Sequence, residues 1–157
     1  VVEGLSFLAK QRDLILTCEY DKNLQDTRIC VDVAKFRQVL INLIGNAIKF
    51  TNSWWKVKLR LSLQDTSILF EIIDTGIGIP EEYLSKIFEK FKQVDNYLQK
   101  SASGTWLGLY ICKKILAHFH SDLFVTSQEG VGSNFYFSIL LVSDVLQTWA
   151  VPTNSPC

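Results

Sequence analysis

The spacing of apolar residues predicts a long helix near the middle of the chain. Between residues 33 and 51, apolar side chains recur at steps of three and four, so one side of this helix should be buried. Asp32 is a suitable N-cap for it, and the polar residues 51–53 should end it. The apolar set is Phe36, Val39, Leu40, Leu43, Ile44, Ala47 and Ile48.

Alternation of apolar and polar residues predicts the strands. The segments are 14–20, 29–31, 56–63, 68–73, 123–127 and 134–141, with a short helix opened by Pro80 and another helix over 109–119. Residues 92–103 have no apolar period and are expected to form a mobile loop. The order of elements predicts an α+β fold, a two-layer α/β sandwich in which helices cover one face of a mixed, mostly antiparallel sheet. We expect one domain over 1–143 and a poorly ordered tail over 144–157.

The polar side of the central helix is unusual in its residue types. Carboxamides are poor choices for an exposed helix face, whereas a row of amide oxygens ending in a lysine suits a metal ion with its phosphates. An ordinary amphipathic helix with incidental asparagines is the alternative. The row consists of Lys35, Gln38, Asn42, Asn46 and Lys49.

Composition limits the classes of function. Sixteen basic and sixteen acidic residues leave no global positive field, so nucleic acid is not an expected partner. No signal peptide is recognisable, and the apolar stretch 135–142 is too short to span a bilayer. The four cysteines lack metal-ligand spacing, and we expect Cys18 and Cys112 to be reduced core residues. The ends of the chain suggest a piece of a larger protein.

Five motifs in a fixed order carry a resemblance to a known family. They are N-L-I-G-N-A-I-K-F-T, D-T-G-I-G-I-P, F-E-K-F, G-T-W-L-G-L-Y-I-C and S-Q-E-G-V-G-S-N-F. In order and spacing they resemble the boxes of the ATP-binding domain of sensor histidine kinases, over about residues 14–141. That family has the Bergerat-type fold, which it shares with gyrase B, MutL and a heat-shock chaperone.

The resemblance implies a role for each box. Asn46 would hold Mg²⁺, and Asn42, one turn earlier, would reach the phosphates or a metal-bound water; both are the expected catalytic residues. Lys49 would offset phosphate charge and Phe50 would pack against the adenine edge.

At the other end of the implied site, Asp74 would accept a hydrogen bond from the exocyclic amine of adenine. Gly76 and Gly78 would let the base approach the backbone, and Ile79 and Ile44 would make the pocket apolar. Ser133 would make a water-mediated contact near the base.

The remaining boxes imply a lid and a phosphate loop. Phe88 and Phe91 would form a hydrophobic box beneath a lid over 92–103, with simple core packing as the alternative. A glycine-bearing loop that opens a helix can bind anions, and here it would cradle the β- and γ-phosphates. Its residues are Gly104, Thr105, Trp106, Leu107 and Gly108.

The function implied is that of a catalytic domain, with ATP and Mg²⁺ as cofactors. It would donate the γ-phosphate to a histidine on a dimerisation helix absent from this chain, since His118 and His120 lack the family's acceptor context. A response-regulator receiver domain is the second expected partner. The expected location is the cytoplasm, free or as the cytosolic part of a membrane-anchored receptor, with no membrane insertion by this segment. ATP-hydrolysing relatives carry a glutamate where Asn42 stands, so hydrolysis is disfavoured.

The sequence departs from the family at three places that usually hold glycine. Trp106 is in the phosphate loop, Trp54–Trp55 follow the central helix, and His120–Ser121 precede the next strand. A positive φ at Trp106 would cost about 1–2 kcal/mol, and its ring would compete with the γ-phosphate for space. The alternative function is therefore a degenerate domain that serves as a non-catalytic binding or signalling module.

Overall fold

The computed structural model describes residues 2–52, 54–88 and 105–142, the side chains of 105 and 106 excepted. The helices are α1 (Val2–Gln11), α2 (Val33–Phe50), α3 (Glu81–Leu84) and α4 (Thr105–His118), with a 3₁₀ turn at Lys22–Leu24. The strands are β1 (Ile15–Tyr20), β2 (Lys56–Gln64), β3 (Ser67–Asp74), β4 (Phe124–Gln128) and β5 (Gly132–Leu140).

The strands form one five-stranded sheet in the order β1-β2-β3-β5-β4. The β1–β2 pair is parallel and the other three pairs are antiparallel. This confirms the predicted two-layer α+β sandwich with a mixed, mostly antiparallel sheet.

The core lies between the helices and one face of the sheet. The apolar positions predicted for α2 are all buried or half-buried there. Phe36 meets Phe70 edge-on at a centroid distance of 5.3 Å, and Phe70 stacks on Phe137 at 5.1 Å. The Asp32 carboxylate accepts a hydrogen bond from the backbone N–H of Lys35 at 3.0 Å, which confirms the predicted N-cap.

A helix that the sequence pattern did not predict, α1, precedes the sheet. Leu5 and Ala9 are the buried residues of α1. The Arg12 guanidinium, just after α1, donates to the carbonyl oxygens of Ile48 at 3.4 Å and Lys49 at 3.1 Å. These carbonyls belong to the last turn of α2, where a cation is favourable for the helix dipole.

Several predictions about individual elements were wrong. Cys18 is exposed rather than buried, and it lies on β1, which is an edge strand of the sheet; Cys112 is buried as expected. The predicted strand 29–31 is only a single bridge between Ile29 and Leu141. The last helix begins at Thr105 instead of residue 109, so residues 105–108 form its first turn.

Two of the three glycine replacements have left-handed backbone. Trp54 has φ of 70° and His120 has φ of 55°. A positive φ is uncommon for histidine and a genuine outlier for a bulky residue such as tryptophan. The third replacement, Trp106, lies in the helical backbone of α4 and does not need a positive φ.

We predict that Trp54→Gly stabilises the protein by about 1 kcal/mol, since glycine adopts this φ without the Cβ clash. Little burial is lost, because the Trp54 side chain is 79% exposed. Urea denaturation measures the change. Trp55→Gly is the matched control: Trp55 has an ordinary φ, so the same substitution should destabilise. Equal effects of the two substitutions would contradict the strain at Trp54.

Candidate functional site

A cavity lies where α2 and α4 meet the ends of β3 and β5. It brings together six of the residues predicted from the sequence and four that were not. The predicted six are Asn46, Phe50, Asp74, Gly78, Ile79 and Ser133, and the others are Ala47, Ile77, Leu109 and Phe135. The predominantly apolar lining with a few polar groups is typical of a small-molecule site.

Among the described residues that line the cavity, Asp74 is the one carboxylate. It ends β3, is 6% exposed, and lies opposite Ser133 in the ladder between β3 and β5. Burial raises the pKa of Asp74 to about 6, while hydrogen bonds from the backbone N–H groups of Gly76 and Ser133 act in the opposite direction. A buried carboxylate held in this way suits a ligand that brings N–H donors.

The loop after Asp74 is fixed against the end of α2. The N–H of Ile77 donates to the Phe50 carbonyl at 3.1 Å, and the N–H of Gly76 donates to the Asp74 carboxylate at 2.8 Å. A Cβ at Gly76 would lie 2.7 Å from the Asp74 carboxylate oxygen and still closer to the Phe50 carbonyl. Only glycine fits there, so the loop can close over the carboxylate.

Asn46 supplies the second polar group of the cavity. Its amide nitrogen is buried and has no hydrogen-bond partner among the residues that the structure describes. An unsatisfied buried amide costs roughly 1–3 kcal/mol. The arrangement therefore leaves bonding capacity for a ligand, and a turned amide would present its oxygen to a cation.

Asn42 lies one turn from Asn46 on the side of α2 that faces α4. A Cβ at Gly108 would lie 3.7 Å from its side-chain amide carbon, so α4 approaches α2 closely at this point. Asn42 thus lies against the first turn of α4, which includes the backbone of Thr105 and Trp106. The N–H groups of a first helical turn have no partners within their helix and favour anions.

Other predicted site residues are placed elsewhere. The Phe88 ring lies in a separate groove, 5.2 Å from the Lys113 ammonium. The Lys49 ammonium lies 5.8 Å from the centroid of the Phe50 ring, and Leu107 is 52% exposed; neither lines the cavity. The expectation that Ile44 lines the pocket was wrong, because Ile44 is fully buried in the core.

Phe91, Gly104 and the predicted lid over 92–103 lie outside the described residues, as does the predicted tail 144–157.

Ser127 is a site residue that the sequence reasoning missed. Its hydroxyl oxygen accepts from the Ile79 N–H at 2.8 Å, lies 2.8 Å from the Gly132 carbonyl and lies 3.0 Å from the Ser133 hydroxyl. The sequence carries no signal for these contacts, because the position of Ser127 opposite Ser133 depends on the register between β4 and β5.

Two features are absent from the part of the chain that the structure describes. Within 2–52, 54–88 and 105–142, no three His, Cys, Asp or Glu side chains come together as a metal cluster. In the same ranges, every helix is too short or too polar to cross a membrane.

Comparison with known proteins identifies the family of the chain. The family described as "Histidine kinase-, DNA gyrase B-, and HSP90-like ATPase" matches residues 31–143. The circadian input-output histidine kinase CikA of Thermosynechococcus vestitus is 39% identical over 115 residues, which are 73% of this chain and 16% of that protein. The aerobic respiration control sensor ArcB of Escherichia coli is 37% identical over an alignment of 149 positions, which covers 88% of this chain and 19% of ArcB. The chain thus spans less than a fifth of these relatives.

Solved structures agree with this family. The catalytic domain of histidine kinase ThkA superposes with a TM-score of 0.74 at 29% identity, over 88% of this chain and 86% of that one. Full-length ShkA in complex with AMPPNP gives 0.77 at 29% identity, over 90% of this chain and 28% of that one. ThkA in complex with response regulator TrrA gives 0.68 at 29% identity, over 88% of this chain and 37% of that one. These likenesses support the ATP-binding catalytic interpretation, and none of them supports the non-catalytic alternative.

We predict that Asp74→Asn stabilises the protein at pH 7.5 and not at pH 4. The raised pKa of Asp74 means that the folded state binds its proton more tightly than the unfolded chain does. The stabilisation that results from this tighter proton binding is fully present below about pH 4 and is lost as pH rises through about 6. The asparagine variant avoids the loss, so its free energy of unfolding at pH 7.5 should exceed the parent value by roughly 1–3 kcal/mol.

Urea denaturation at the two pH values measures this difference. Asp65→Asn, in the exposed turn between β2 and β3, is the matched control and should show no such dependence. A gain that is the same at pH 4 and pH 7.5 would contradict the assignment to Asp74.

Proposed function

The chain belongs to the family of histidine kinase-, DNA gyrase B- and HSP90-like ATPases, as an ATP-binding catalytic domain of the sensor histidine kinase type, and from this we propose that its cavity binds Mg-ATP for transfer of the γ-phosphate to a histidine. The acceptor histidine lies on a dimerisation helix outside this chain. The observation that carries the proposal is the pairing, in one apolar cavity, of the buried Asp74 carboxylate and the unsatisfied Asn46 amide.

Asp74 and its surroundings form the base end of the proposed site. The carboxylate accepts from the exocyclic amine of adenine, while Phe50, Ile79 and Phe135 cover the faces and edges of the ring. Glycine at positions 76 and 78 lets this loop pack against the backbone of Phe50 and Gln128, beside the proposed position of the base. The complementarity is between an N–H donor on the ligand and an acceptor that water cannot easily reach.

The asparagines and the first turn of α4 form the phosphate end. Asn46 is the proposed Mg²⁺ ligand, with Asn42 beside it for a phosphate oxygen or a metal-bound water. Magnesium prefers few protein ligands and several oxygens from phosphate and water, so one carboxamide suffices. ATP supplies the phosphoryl group, and Mg²⁺ and Lys49 offset its charge.

The residues at this end favour transfer over hydrolysis. Hydrolysis requires a carboxylate that can take a proton from the attacking water, and Asn42 occupies the helix position where such a base would lie. The domain's contribution is then to position the phosphates and neutralise their charge.

The partners of the whole protein follow from this activity as proposals. A dimerisation helix presents the acceptor histidine, and a response-regulator receiver domain takes the phosphoryl group onward. The structure of the related ThkA with response regulator TrrA supports the second partner.

We predict that the chain binds ATP in a magnesium-dependent manner and that Asn46→Ala weakens Mg-ATP binding at least about tenfold, because it removes the proposed metal ligand. Isothermal titration calorimetry with and without Mg²⁺ measures both effects. Asn23→Ala is the matched control, since Asn23 is an exposed asparagine in the 3₁₀ turn at Lys22–Leu24, away from the cavity. Its Mg-ATP affinity should equal that of the parent. A folded parent chain that binds no nucleotide would overturn the proposed function.

A further inference from the structure

We propose that Ser127 is a specificity-determining residue of this cavity: it orients the Ser133 hydroxyl so that only hydrogen-bond acceptors face the base, which selects an amine over a carbonyl at that position of the purine. The inference rests on the proposed function and deepens it, because it names the feature of the nucleotide base that the cavity recognises. Ser127 acts through Ser133 and is a positioning residue.

The three polar residues form a row across the sheet. Asp74 of β3 lies opposite Ser133 of β5, and Ser133 lies opposite Ser127 of β4. Residues directly opposite in a ladder point to the same face of the sheet. Asp74 and Ser133 line the cavity, so Ser127 stands directly behind them, one strand away from the base.

The Ser127 hydroxyl donates its single proton to the Gly132 carbonyl oxygen. The Ser127 oxygen lies 2.8 Å from the Gly132 carbonyl oxygen, which cannot donate. Without a proton between them, two oxygens at that distance would repel each other, so the Ser127 hydroxyl donates to Gly132. It also accepts from the Ile79 N–H at 2.8 Å.

This arrangement fixes the direction of the contact between the two serines. Their oxygens are 3.0 Å apart, and the Ser127 proton is already engaged by Gly132. The Ser133 hydroxyl must therefore donate to Ser127, whose second lone pair it fills. The Ser133 oxygen therefore presents only lone pairs to the cavity.

The cavity then presents acceptors on both sides of the base edge. The Asp74 carboxylate is one acceptor and the Ser133 oxygen is the other. A water bridging from them to the base would donate to both and turn its own lone pairs toward the base. In either case a purine amine finds acceptors for its protons, whereas a purine carbonyl meets oxygen lone pairs.

We expect the cavity to discriminate mainly by rejecting purines that carry a carbonyl at this position. A site built to hydrogen-bond one group discriminates sharply against an analogue that lacks it, because its buried polar groups are left unpaired. Removing the Ser127 hydroxyl frees the Ser133 hydroxyl to turn and donate to a carbonyl. Discrimination should then fall, even where the fold and the apolar contacts persist.

The test compares the affinities of Mg-ATP and Mg-ITP, whose bases differ at position 6, an amine in one and a carbonyl in the other, and at N1, which carries a proton only in ITP. Calorimetry on the unchanged chain should favour ATP, and Ser127→Ala should lower the ATP:ITP affinity ratio at least about fivefold. Ser127→Thr keeps the hydroxyl and should restore the ratio. Ser138→Ala is the control: it removes a hydroxyl from β5 that faces away from the cavity, at 3.5 Å from the Gln64 side-chain oxygen, and should leave the ratio unchanged.

Ser133→Ala is the second test variant, to be used if the Ser127→Ala variant does not fold. It leaves the contacts of Ser127 with Ile79 and Gly132 in place and removes the group that Ser127 orients, so the ratio should fall as well. A ratio that is unchanged in either folded variant overturns the inference while the proposed function stands. Failure of the unchanged chain to bind Mg-ATP overturns the proposed function and the inference together.

Discussion

The structure around the cavity depends on one electrostatic constraint, the burial of the Asp74 carboxylate at the end of β3. Burial raises its pKa, and two backbone N–H groups offset part of that cost. Those donors come from the loop at Gly76 and from Ser133, so the loop and β5 are both arranged around a single side chain. Glycine at position 76 follows directly, because the loop has to pass between the carboxylate and the end of α2 without a side chain of its own.

Much of the fold could be predicted from the sequence because its main elements have strong periods. The apolar spacing of α2 and the alternation in β2 each identify an element and its buried side, and Asp74 and Asn46 were recognisable from their motifs. Periodicity cannot show which strand lies at an edge, which is why Cys18 was misplaced. It also cannot show which side of a buried helix faces a cavity, which is why Ile44 was assigned to the pocket.

The contacts made by Ser127 lay beyond the reach of the sequence for a different reason. Its partners Ile79 and Ser133 belong to a distant loop and a neighbouring strand, and the pairing exists only once the register between β4 and β5 is fixed. The start of α4 could not be predicted from the sequence either. The motif that resembles a phosphate loop contains Trp106 instead of glycine, and the backbone there continues as helix.

Several local features work against stability: a buried carboxylate, an unsatisfied amide at Asn46 and left-handed backbone at Trp54 and His120. A ligand that satisfies the first two should return part of that free energy on binding.

The Arg12 guanidinium has a mechanical consequence. It connects the end of α1 to the carbonyls of Ile48 and Lys49, and the next carbonyl along the chain, that of Phe50, holds the loop that closes over Asp74. Two polar contacts at neighbouring residues of α2 therefore link the end of α1 to the loop at the base end of the cavity. A displacement of α1 would act directly on that loop, whereas Asn46 and Asn42 lie about one and two turns farther from it along α2.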